Sequence, residues 1–230
     1  MNHNAWGNIK PADYDAHMSH PDVAQTQMLN RIIKEQFELI RREKSSDSCA
    51  AILGITNGNG LEHAAACGVA KIVGIDINEA FLNECKARYH YLESSLKLFQ
   101  LDLTAEASKS IEILSECDLI IANLVIKHIR LDSFTSIIAG LPKRRRIVSC
   151  VIQVNPDGIA VSHSGFEHAF DEIGKQEEEE NEERIKQSME ENGFTLANRV
   201  TYDLPNGKYC QNGFSLRHAI RTQRLTFNPI

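Results

Sequence analysis

The chain has 230 residues, 42% of them hydrophobic, enough for one substantial core, with a formal net charge of −6 and a pI near 5.9. That acidic balance excludes a general electrostatic attraction to phosphate backbones or anionic lipid, and leaves small molecules or protein partners as the expected ligands. Cys49, Cys67, Cys85, Cys117, Cys150 and Cys210 form no CxxC pair and no Cys/His cluster, so they read as reduced thiols and no metal site is expected.

The amino-terminal stretch MNHNAWGNIK lacks an apolar secretory core, and no run approaches bilayer-spanning length, so a soluble, cytoplasmic protein is expected, monomeric or homodimeric. Residues 1–20 are polar, with isolated Trp6 and Tyr14, and read as a loop or lid. From Asp22 the apolar residues Val23, Leu29, Ile32, Ile33, Phe37 and Ile40 repeat at helical spacing, which predicts one amphipathic helix to about Lys44. The reading divides the chain into a lid and helix, 1–44, and a Rossmann-like domain, 45–230.

An alternation follows. CAAILGI predicts a buried strand, Gly60 to about Ala66 a helix, KIVGID a strand and NEAFLNECKARYHYL a helix. LKLFQLDL, AEASKSIEILSE, CDLIIANL with a helical continuation, and RRRIVSCVIQV extend the pattern to a fifth strand. Strands and helices alternating at this pace give βαβ crossovers, hence an α/β, doubly wound, mostly parallel sheet with helices on both faces. EEEENEERIKQSMEEN then predicts a charged helix ended by Gly193. FTLANRVTYDL and YCQNGFSLRHAI are joined by a link too short for a crossover, so the seven-stranded sheet is expected to end in an antiparallel hairpin.

The loop in AAILGITNGNGLEH lies after the first strand, at the switch point where such sheets bind ligands. A dinucleotide fingerprint would read GxGxxG, and here Gly58 and Gly60 are followed by His63 in the third glycine place, a poor fit to NAD. The loop instead resembles motif I of the class I S-adenosylmethionine-dependent methyltransferases, an acid followed by x-Gly-x-Gly-x-Gly. Gly54 stands in the acidic place, Thr56 in the first glycine place, and Gly58 and Gly60 keep the last two.

The resemblance extends along the chain. Asp76, with Ile77 after it, ends the second strand where the family has an acid that takes both ribose hydroxyls, and two carboxylate oxygens suit a vicinal diol; a helix N-cap is the alternative. Asp102, followed by Leu103 in FQLDLT, matches the acid that receives the adenine amino group, with a turn or N-cap role as the alternative. In CDLIIANLVIKHI, His128 falls on a His found after the fourth strand in quinone-type O-methyltransferases. Asn123 is followed by Leu124 and Val125, not by the Pro-Pro-Tyr of many amino-group and nucleic-acid methyltransferases.

The resemblance thus implies S-adenosylmethionine as cofactor, with Gly54, Thr56, Gly58, Gly60, Asp76, Ile77, Asp102, Leu103 and Asn123 on it, and methyl transfer to an O or N nucleophile of a small molecule. Such an in-line displacement needs positioning above all, with a base only where the acceptor must lose a proton. His17, His128 and His163 are the candidate bases, and Trp6, Tyr14 and His168 candidate acceptor contacts; packing or surface roles are the alternative for each. KRRR, 143–146, reads as a solvated loop before a strand, and EEEENEE, 177–183, as an exposed helix start. A binding protein of this fold without turnover and an NAD-dependent oxidoreductase are the rival readings.

Overall fold

The computed structural model describes residues 5–43, 47–175 and 181–217. Seven strands form one sheet: β1 (Ser48–Leu53), β2 (Val69–Asp76), β3 (Leu96–Gln100), β4 (Leu119–Asn123), β5 (Arg146–Val154), β6 (Thr195–Asp203) and β7 (Tyr209–Arg217). Their order is β3-β2-β1-β4-β5-β7-β6. The first five are parallel, β7 runs antiparallel to β5, and β6 pairs antiparallel with β7 as the closing hairpin. β1 and β4 are hydrogen-bonded neighbours, so the chain reverses direction across the sheet between them and opens a crevice at their carboxyl ends.

Helices cover both faces. On one side lie α2 (Gln25–Glu43), α3 (His63–Ala66) and α4 (Glu79–Arg88), whose Phe37, Ile40, Ala64, Leu82 and Cys85 pack on Ala50, Ile52 and Ile72. On the other lie α5 (Ala107–Leu114), α6 (Leu131–Gly140) and α7 (Glu182–Glu191), whose Leu114, Phe134, Ile137 and Ile185 meet Ala51, Leu53 and Ile120. The central strands, apolar on both faces, are thereby buried on both.

Four expectations are corrected. Residues 1–20 are more than a loop: a 3-10 turn at Ala5–Asn8 leads into α1 (Pro11–Ser19), with Pro11 at its first turn, where a missing N–H costs nothing. The amphipathic helix starts at Gln25, because Ala24 has φ +50° and the backbone turns through His20–Val23 first. The helix after β1 is reduced to α3, since the chain from Gly58 to Leu61 is spent in turns. Finally, the basic run before β5 is not simply solvated. Arg146 is 1% exposed, with its guanidinium on the carbonyls of Cys117, Pro142 and Ser115, and Arg144 pairs with Asp118. Glu177–Glu180 and His218–Ile220 lie outside the described residues.

Candidate active site

A cleft opens where the carboxyl ends of β1 to β5 meet, the place where open parallel sheets bind ligands. Its floor comes from the strand ends: Gly54 and Thr56 after β1, Asp76 and Ile77 from β2, Leu101, Asp102 and Leu103 after β3, and Asn123 with Leu124 after β4. Two non-glycine residues of this floor, Thr56 (φ +49°) and Leu124 (φ +55°), sit in the left-handed region. Such conformations cost roughly 1–2 kcal/mol each and gather at functional sites.

Asp76 is the hub of the floor. It is 7% exposed, and its two oxygens accept the Thr56 N–H at 2.8 Å and the Asn78 N–H at 2.9 Å. Burial outweighs these hydrogen bonds and pushes its pKa up to about 6. Asp76 is not the cap of α4: Asn78 is, accepting from Ala80 N at 2.9 Å. Asp102 closes an Asx turn through Oδ1, which accepts from Thr104 N at 2.8 Å, while the residue itself faces the cleft. Asn123 exchanges two hydrogen bonds with Gln36 of α2, at 2.8 and 3.0 Å, so its amide is held by the scaffold.

Gly54 belongs to the cleft wall, and a side chain there would be strained twice over. Its φ is +66°, and an added Cβ would lie 3.1 Å from Val125 Cγ2. Gly58 and Gly60 have a different task from the one the motif implies. An added Cβ at Gly58 would meet Cys85 Sγ at 2.7 Å, and one at Gly60 would meet Ile33 at 2.9 Å. Both glycines face protein, and neither lines the cleft; they allow the loop to pack on α2 and α4.

The roof is aromatic. Trp6, Tyr14, His17 and Met18 come from the amino-terminal segment, and Val161, Ser162, Phe170 and Ile173 from the segment after β5. Trp6 packs edge-on to His128 with ring centroids 4.8 Å apart, and Phe170 lies 4.5 Å from His17. Burial of the Tyr14 phenol pushes its pKa up to about 12, with Thr56 the neighbouring side chain that opposes the shift.

The four histidines separate into two pairs. His17 and His128 line the cleft; His163 and His168 do not. The side chains of His163 and His168 are 82% and 88% exposed, facing Glu167 and Asp171, because the segment after β5 turns them to solvent. Burial, and then the charge of Lys127, pushes His128 down to about 3, so it is neutral at any working pH. His17 is also lowered by burial, and its Nδ1 lies 2.6 Å from Ser164 Oγ.

Sequence reasoning missed the amide side of the cleft. Gln25, at the start of α2, donates from Nε2 to Gln153 Oε1 near the end of β5, and Gln153 in turn donates to Asn155 Oδ1 at 2.5 Å. Both glutamines are 8% exposed and line the cleft. The position of Gln153 at a strand carboxyl end was the available signal; nothing local marked Gln25 or Phe170. Among the described lining residues, Lys127 is the one fixed cation, and Asp76 and Asp102 are the carboxylates.

No protein-family model and no curated protein matches the chain in sequence. Solved structures match it in shape. The magnesium protoporphyrin IX methyltransferase of Synechocystis PCC 6803, with S-adenosylmethionine bound, superposes with a TM-score of 0.58 at 16% identity, over 85% of this chain and 80% of that one. Phosphoethanolamine N-methyltransferase 2 of Haemonchus contortus, in complex with phosphomonomethylethanolamine and S-adenosylhomocysteine, gives 0.60 at 14% identity, over 91% and 57%. The N-methyltransferase NodS of Bradyrhizobium japonicum gives 0.55 at 13%, over 82% and 96%. The chain has the class I S-adenosylmethionine-dependent methyltransferase fold.

Proposed function

We propose that this chain is an S-adenosylmethionine-dependent methyltransferase acting on an oxygen or nitrogen nucleophile of a small molecule. The observation that carries the reading is Asp76: a buried carboxylate at the end of β2, aimed into the cleft beside the β1–β4 switch point. Backbone N–H groups fix its orientation and leave it acceptor capacity toward the cleft, which suits a ribose diol. Asp102 and the apolar side chains of Ile77, Leu101 and Leu103 form a slot that suits an adenine ring. The structural relatives that hold S-adenosylmethionine or S-adenosylhomocysteine support the same choice.

When bound, this cofactor supplies an electrophilic methyl group on a sulfonium. The chain's own residues would do three things. Asp76 and Asp102 would orient the nucleoside, the aromatic roof of Trp6, Tyr14 and Phe170 would exclude water and present ring faces to a cation, and Gln25 and Gln153 would hold the acceptor by neutral hydrogen bonds. His128, held near pKa 3, is a weak base, so proximity carries more of the rate than proton abstraction there. His17 is the other lining histidine; burial lowers its pKa as well, and Ser164 Oγ holds its Nδ1.

Enclosure by α1 and the segment after β5 favours a small acceptor over a macromolecule, and a single lining cation gives no track for a phosphate backbone. Equilibrium dialysis with methyl-labelled S-adenosylmethionine and, separately, with NADH tests the proposal. Retention of the methyl donor and not of NADH is expected. Retention of NADH alone would replace it with the oxidoreductase reading.

A further inference from the structure

The roof of the cleft is fastened to the floor by hydrogen bonds from Asn78 and Asn57, both on the loops around Asp76. Asn78, 2% exposed, donates from Nδ2 to the carbonyls of Trp6 and Ile9, both at 2.8 Å, while its own N–H goes to Asp76. Thr56 gives its N–H to Asp76, and its side chain stands beside the buried Tyr14 phenol. One residue further along each chain, Asp15 of α1 accepts from Asn57 Nδ2 on one oxygen and from Arg88 Nη2, at 2.9 Å, on the other. Asn57 is itself 1% exposed.

Thr56 and Asn57 are the two residues that depart from the glycine pattern of this loop. Their side chains face the amino-terminal segment and occupy it with matched partners. A bare loop would leave Asp15 without its Asn57 partner, and α1 would keep Arg88, the His17–Ser164 pair and the ring contacts of Tyr14 and His17.

We propose that Asn57 and Asp15 are positioning residues for acceptor binding: with Thr56 and Asn78 they suspend Trp6, Tyr14 and His17 from the loops around Asp76, so that closure of the roof over the acceptor half of the cleft is coupled to occupation of Asp76 by the donor. This deepens the methyltransferase reading and rests on it. The coupling follows from connectivity. Each fastening leads through one residue, Thr56 or Asn78, or its neighbour, to the carboxylate that would hold the donor ribose, whereas the acceptor walls are what the fastenings carry. A ligand on Asp76 stabilises the platform, and the closed roof stabilises that ligand by the same coupling.

Trp6 is the chain's only tryptophan, so its emission reports the roof without a label. Iodide quenching of the full-length protein is compared for wild type, Asn57→Ala, Asp15→Asn, Asn57→Asp and the exchange Asp15→Asn/Asn57→Asp, each with and without S-adenosylhomocysteine, with far-ultraviolet circular dichroism verifying the fold. Shielded Trp6 in wild type, a several-fold rise in quenching in each single variant, and partial return toward wild type in the exchange are expected, because the exchange restores an amide–carboxylate pair. S-adenosylhomocysteine is expected to reduce quenching further in wild type and less in Asn57→Ala. Folded single variants with wild-type quenching would overturn the proposal. If calorimetry finds no binding of S-adenosylhomocysteine to wild type, the methyltransferase reading falls instead; if it binds and leaves Trp6 quenching unchanged, the coupling falls while that reading stands.

Discussion

Thr56 adopts φ +49°, a conformation that glycine would take without strain. Replacing it by glycine removes about 1 kcal/mol of backbone strain and adds a comparable entropic cost to folding, so stability should barely move. The Tyr14 contact is lost at the same time. Thermal unfolding of Thr56→Gly is expected to match wild type within a few degrees while iodide reaches Trp6 more easily; a large loss of stability would mean that the hydroxyl carries more of the fold than this account allows.

Asp76 has a sharper signature. Its folded pKa is raised to about 6 by burial, against about 4 for an ordinary aspartate. Below about pH 4 both folded and unfolded forms hold the proton, and the stability contribution of the neutral carboxyl is fully present. Between 4 and 6 the unfolded chain releases the proton first, so stability falls as pH rises, by about 3 kcal/mol in total. Urea unfolding of wild type and Asp76→Asn at pH 4.5 and 7 should therefore show a difference that shrinks or reverses in favour of the variant at the higher pH. Ribose binding calls for the ionised carboxylate, so affinity for S-adenosylhomocysteine should move the opposite way, weakening as pH drops through 6. Parallel trends in stability and affinity would contradict this assignment.

The strand-end floor of the cleft was legible residue by residue, because a residue at the end of a parallel strand is placed by the strand itself. Gly54, Thr56, Asp76, Ile77, Asp102, Leu103 and Asn123 all reach the cleft for that reason. Gly58 and Gly60 did not, because their spacing records how tightly the loop packs on Cys85 and Ile33, a demand that looks in sequence like room for a ligand. His163 and His168 failed for the usual reason with loop residues: nothing periodic says which way they face.

Among elements, α2 shows how far a strong pattern carries. Its apolar residues recur at three- and four-residue intervals and bury Ile32, Phe37 and Ile40 almost completely, on the side of the helix that meets the sheet. Phe37→Ala should cost about 3–5 kcal/mol in denaturant unfolding, as for other large aromatic deletions in a packed core. A loss under about 1 kcal/mol would imply that α2 is only loosely docked. α1 was illegible by the same standard, since PADYDAHMS carries no apolar stripe. It holds its place through Tyr14, Asp15, His17 and Met18, by polar pairs and ring contacts with distant residues. Arg146 was misread for a related reason, as its three carbonyl partners belong to Ser115, Cys117 and Pro142 and cannot be inferred from KRRR.

At the scale of the whole molecule, strand order explains why the two halves of the cleft differ in legibility. The neighbours β3, β2, β1 and β4 bring the floor residues together at adjacent strand ends. The roof is assembled from α1, the start of α2, the end of β5 and the segment around Phe170, which meet only once the sheet is formed. Among the described residues no helix is long and apolar enough to cross a membrane.

The most direct test of the central claim is a crystal structure of the full chain with S-adenosylhomocysteine. Both ribose hydroxyls are expected within hydrogen-bond distance of the Asp76 carboxylate, about 2.6–3.2 Å, with the adenine among Ile77, Leu101, Asp102 and Leu103 and the sulfur turned toward the roof of Trp6 and Tyr14. A ligand seated elsewhere, or with its ribose away from Asp76, would contradict the account.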